Sequence, residues 1–148
     1  MIEVLISMLI LAVGILGASA LQLTSFNANT SALYRSQAIF LANDIIDRMR
    51  MDPATARGTT FNEVDTSTVP TSGSSCATSD GCSKSAIAAQ SVIEWADYFR
   101  GNSPLLPNGT GTITRVSGNI FRISISWNET DKLSQSTQTS SYTVDVQI

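Results

Sequence analysis

The sequence predicts an α+β fold in which one long N-terminal helix packs on a small antiparallel sheet. Three observations carry this expectation. Residues 4–21 are apolar apart from Ser7, Ser19 and small residues, and no charge falls anywhere in 4–34. Residues 28–51 contain neither Gly nor Pro, and their apolar side chains recur at spacings of three and four, the mark of one helix face. Beyond residue 110 the period changes to two, as in half-buried strands.

The helix comes first. Residues 4–21 would rise about 27 Å, close to the hydrocarbon thickness of a bilayer. The pattern continues past them: Tyr34, Ala38, Leu41, Ile45 and Met49 share a face, while Asp44 and Arg48 stand four apart in the favourable acid-first order. Pro53 ends the run, with Met51 and Asp52 as its last residues. One helix of about 50 residues, roughly 75 Å long, is expected, apolar in its first half and amphipathic in its second.

Residues 54–85 are dominated by Thr, Ser, Gly and Pro and read as a long surface loop that contains both cysteines, Cys76 and Cys82. A second helix is expected over 85–100, with Ala89, Val92, Ile93, Ala96 and Phe99 on one face and Gly101 as its stop. Residues 111–116 form a candidate strand that turns at Ser117-Gly118-Asn119. In the next strand Phe121, Ile123, Ile125 and Trp127 alternate with polar residues, and in the last Tyr142, Val144, Val146 and Ile148 do so. The amphipathic half of the long helix is the natural cover for the sheet's apolar face.

Composition excludes more than it includes. Net charge is −3 with no basic run, so no face is suited to nucleic-acid phosphates. The absence of His removes the commonest general base and metal ligand, and a hydrolase triad of the usual kind cannot be built. The carboxylates are scattered over helix faces, loops and a strand, no glycine-rich phosphate loop is present, and no cofactor or metal site is expected. The sequon matches at Asn29, Asn108 and Asn128 are chance in a chain rich in Ser and Thr. Two cysteines are too few for a zinc site without His. Behind a membrane anchor a disulfide fits them, the alternative being two buried thiols.

Glu3 is the one acid at the edge of the apolar run. A carboxylate near a helix N-terminus is favoured by the helix dipole and needs no partner. Alternatively it is buried among neighbouring helices and paired with a positive group from another chain. A cleaved secretory signal over residues 1–21 would need a basic start, which is missing, although Ala18-Ser19-Ala20 could pass for a cleavage site.

The stretch IEVLISMLILAVGILG resembles the N-terminal segment of type IV pilins and their pseudopilin relatives, and the long helix with a small sheet head resembles a pilin-like fold. AVGILG at 12–17, QAIFLANDIIDRMR at 37–50 and IEWADYFRGNSPLLPNGTGTI at 93–113 are more specifically similar to the PilV family of minor pilins. The resemblance implies a non-catalytic role in pilus biogenesis. Residues 1–26 would be the transmembrane and filament-core half of the helix, and 27–148 a periplasmic head that includes its amphipathic half. It implies a bacterial inner-membrane anchor that later joins a cell-surface pilus. The implied partners are other minor and major pilins and the inner-membrane assembly machinery.

It assigns Glu3 to the family's acid, which docks on the terminal amine of a neighbouring subunit. In the family that acid is the fifth residue of the processed chain. A leader and two further residues upstream of Met1 are therefore expected. Major pilins usually carry a helix-bending Pro in the apolar half; only Gly14 and Gly17 stand here, where helix packing or local melting in a filament is expected. The rival readings are a type II secretion pseudopilin and a secreted adhesin-like domain with a cleaved signal.

Overall fold

The computed structural model describes residues 2–73, 81–101, 104–131 and 135–148. Helix α1 runs unbroken over Ile2–Met51, the spine that the pattern predicts. Its core-facing residues are Ala38, Leu41, Ala42, Ile45, Ile46 and Met49, with Tyr34 partly buried beside them. Asp52 leaves the helical backbone region, and Pro53 then opens the one-turn helix α2 (Pro53–Ala56). The Asp52 carboxylate caps α2, accepting from the Thr55 N–H at 3.4 Å and the Thr55 hydroxyl at 2.8 Å. The hydroxyl bond from Thr55 is the main reason that the Asp52 pKa lies below the usual carboxylate range.

Strand β1 (Val64–Asp65) precedes helix α3 (Lys84–Asp97), and β2 (Thr110–Ser117), β3 (Ile120–Thr130) and β4 (Thr137–Gln147) follow. The four strands form one antiparallel sheet in the order β1-β2-β3-β4. This is an α+β arrangement of a long helix and a small sheet. The β2–β3 hairpin turns at Gly118-Asn119, where Gly118 takes φ +52°, a conformation that other residues enter with strain. A bulge between Arg115 and Ser117 bends β2 just before it. Ile113, Phe121, Ile123, Ile125 and Trp127 are buried on one sheet face, while Arg122 and Asp145 lie opposite each other on the other and form a two-pronged ion pair at 2.8 Å.

Helix α3 buries a wider face than the pattern predicts, displaced at one residue. Val92, Ile93, Ala96 and Phe99 are buried as expected, Ala89 is exposed, and Ala88, Ser91 and Trp95 join the buried face. The added width lets Trp95, the largest apolar body on the helix, enter the core between α1 and the sheet. There its ring meets Phe99 edge-on at 5.1 Å, and its indole N–H donates to the Leu41 carbonyl at 2.9 Å. That carbonyl lies inside α1, and its second lone pair accepts the extra bond. The β2 backbone passes so close to this ring that a Cβ on Gly111 would lie 2.5 Å from it. Arg48 adds a second α1–α3 link, bonding Asp44 at 3.0 Å and Glu94 at 2.8 Å.

The 54–85 segment is not one surface loop. Ala56, Phe61, Val64 and Thr66 are buried, Val64 pairs with Ile113, and Thr66 exchanges hydrogen bonds with Gly111. Arginines sew the segment down. Arg100 donates to the carbonyls of Thr66, Val69 and Pro70, Arg115 to those of Arg57 and Gly58, and Arg57 to that of Ile148. Cys76 lies outside the described residues; Cys82 lies within them and is not a free thiol.

Candidate assembly surface

Among the described residues, no hydrogen bond or ion pair joins residues 2–25 of α1 to the head, and Phe26 is the first to border it. Every described residue from Ile2 to Phe26 is exposed, and large apolar side chains such as Leu9, Leu11 and Leu16 lie open on all sides of the helix. The segment is long and apolar enough to cross a membrane. Such a surface cannot remain in water and needs lipid or other helices around it.

Its hydroxyls are already adapted to an apolar surround. Ser7 donates to the Glu3 carbonyl at 2.8 Å, Ser19 to Ile15 at 2.9 Å, Thr24 to Ala20 at 3.2 Å and Thr30 to Phe26 at 2.9 Å. Each bond reaches back four residues, so these four hydroxyls need no water, whereas Ser25 makes no such bond among the described residues. Ser7 and Ser19 stand out in the sequence as the polar exceptions of the apolar run; the bonds to their own helix follow from an isolated Ser or Thr inside such a run.

Glu3 sits in the first turn of α1, and its carboxylate has no hydrogen-bond or ion-pair partner among the described residues. Helical geometry brings it onto one strip with the two glycines: Gly14 lies about 20° around the axis from Glu3, and Gly17 about 40° to the other side. Apart from the helix's own neighbouring backbone, no heavy atom lies within 4 Å of a Cβ built on either glycine, so the strip is an open shallow notch with an acid at one end. Another helix could approach closely there.

Where the spine enters the head, two side-chain bonds fasten it. Asn27 donates to Asp131 at 3.2 Å, and Ser31 donates to Glu129 at 2.9 Å, whose other oxygen accepts the Trp127 indole N–H at 2.7 Å. Burial along α1 begins at Asn27. These links join residues about a hundred positions apart, and no local pattern announces them.

An exposed apolar helix continuous with an amphipathic one under a four-stranded sheet is the architecture of a type IV pilin. Residues 20–93 match the family model for Tt1218-like proteins, described as type IV pilin Tt1218. The match spans half of the chain, and the chain belongs to this family. It covers the amphipathic spine, α2, β1 and most of α3, and leaves Glu3 and the strands β2–β4 outside. No curated protein and no solved structure matches the chain.

Proposed function

We propose that this chain is a minor pilin of PilV type that enters or primes a type IV pilus and works by helix packing without catalysis. The observation that carries the reading is the continuous 50-residue spine, whose first half is apolar and wholly exposed, in a chain of a type IV pilin family. Before assembly, residues 1–26 anchor it in the bacterial inner membrane and residues 27–148 form the periplasmic head. The same apolar surface then packs against the spines of other minor and major pilins. Gly14 and Gly17 allow close packing or local melting there, and Cys76 with Cys82 closes a disulfide loop that stabilises the head by roughly 2 kcal/mol.

Glu3 guides docking. A positive group from a neighbouring subunit about 4 Å away would gain roughly 4 kcal/mol at an effective dielectric near 20, before desolvation. Desolvation offsets much of this, so the pair sets register more than strength. The Glu3→Ala variant should remain membrane-bound with an unchanged head and enter pili less than the wild type, as read by immunoblots of sheared filaments. Wild-type levels in those filaments would refute the docking role.

A further inference from the structure

The outer edge of β4 is the feature of the head that packing leaves unused. Strand order puts β4 at one side of the sheet, and it runs over 11 residues with no bulge in its pairing to β3. The opposite edge, β1, is 2 residues long. Edge strands are commonly protected by brevity, Pro, Lys or a bulge, because their free backbone groups template a further strand. β4 has none of these, and its single charge, Asp145, is held by Arg122 on β3.

Two hydrogen bonds fix which groups face out. Ile148 N–H donates to Asn119 C=O at one end of the β3–β4 ladder, and Asp131 N–H to Ser136 C=O at the other. In an antiparallel pair the bonded residues alternate, and both ends give the same phase. The even-numbered residues of β4 therefore bond to β3. Thr137, Thr139, Ser141, Thr143, Asp145 and Gln147 point their N–H and C=O groups outward, and among the described residues nothing bonds them. On the inner face Tyr142 and Val144 are only partly buried, and a strand laid alongside would cover them.

We propose that β4 accepts an added antiparallel strand from a partner protein, an extended uncharged segment with apolar residues at alternate positions. A second copy of this chain does not fit. Antiparallel β4–β4 pairing has its twofold axis normal to the sheet and would turn the two spines in opposite directions, which chains anchored in one membrane cannot do. That exclusion rests on the anchored reading of the spine; the open edge does not.

The probe is a synthetic peptide of residues 139–147 with Asp145→Asn, TSSYTVNVQ, which has no charged side chain and carries no anchor. With Thr143 opposite Thr143 it sets Tyr142 against Val144, an aromatic–β-branched cross-strand pair. Added to the full chain in nanodiscs, it should bind saturably and slow amide exchange at the odd-numbered residues 139–147, leaving the even-numbered ones and Thr137 unchanged. Ser141→Pro removes one outward donor and no ladder bond, and should weaken binding at least tenfold while the head keeps its melting temperature. If that variant melts the head, Thr139→Pro nearer the strand end replaces it, and the wild-type exchange pattern decides by itself. Unchanged exchange at the odd positions, equal binding by the proline variant, or peptide-free self-association that the proline variant abolishes would each overturn the proposal. Failure of Glu3→Ala to affect pilus entry would leave this edge test unaffected.

Discussion

The two halves of α1 share one unbroken backbone and have opposite fates. Leu9 is 65% exposed, whereas Leu41, on the same helix, is 0% exposed beneath the sheet. The second half is held by burial, by the Trp95 bond to its backbone and by the Arg48 links. Among the described residues, 2–25 in the first half form no hydrogen bond or ion pair with the head. That half's stability as a helix has to come from lipid or from other spines, which is why a segment so apolar, with most of its hydroxyls turned back on its own carbonyls, is suited to an assembly that exchanges one apolar surround for another. Stability and assembly are thus written on separate halves of a single element.

Substitutions can break or sharpen this contrast. Trp95→Ala should have the largest effect. It empties a fully buried site and removes the bond to Leu41, at a cost of about 3–5 kcal/mol. Chemical denaturation followed by tyrosine and Trp127 fluorescence would measure it, and a loss under 1 kcal/mol would contradict the packing described.

Acid should have a smaller effect. The Arg48 hydrogen bond holds the Glu94 carboxyl below its usual value of 4.5. A depressed carboxylate pKa stabilises the fold fully above the unfolded value, and the stabilisation disappears as pH falls through the folded one. The wild type should therefore exceed Glu94→Gln by under about 1 kcal/mol at neutral pH, because Glu94 is solvent-screened, and the difference should close below pH 4.5. A gap that persists in acid would assign it to something other than charge. Asp145, lowered by its bond to Arg122, adds to acid sensitivity in the same direction in both proteins.

Leu11→Ala, in the apolar half, should leave head stability within about 0.5 kcal/mol while weakening partition into bilayers. A destabilised head would show that the two halves are coupled after all.

Much of this was legible from residue order. A helix of period 3.6 and strands of period two each name their own buried face, so Leu41, Ile45 and Met49, and likewise Phe121, Ile123 and Ile125, could be placed before any contact was known. The turn at Gly118 and the common strip of Glu3, Gly14 and Gly17 follow from local geometry alone. The segment after Pro53 was harder, because its order comes from Arg100, Arg115 and Arg57 reaching carbonyls far away in sequence, and Ser- and Thr-rich composition gives no hint of that.

What the sequence determined by itself is the spine, its division into an apolar and an amphipathic half, the inward face of each long strand and the likeness to pilins. Those properties depend on neighbours within a few residues. The tertiary structure alone decided that α3 buries Trp95 and leaves Ala89 exposed, the tethers from Asn27 and Ser31 to the far hairpin, and the place of β4 at an open edge. Each of these depends on which distant element arrives alongside, and an apolar period is satisfied by several such arrangements until packing selects one.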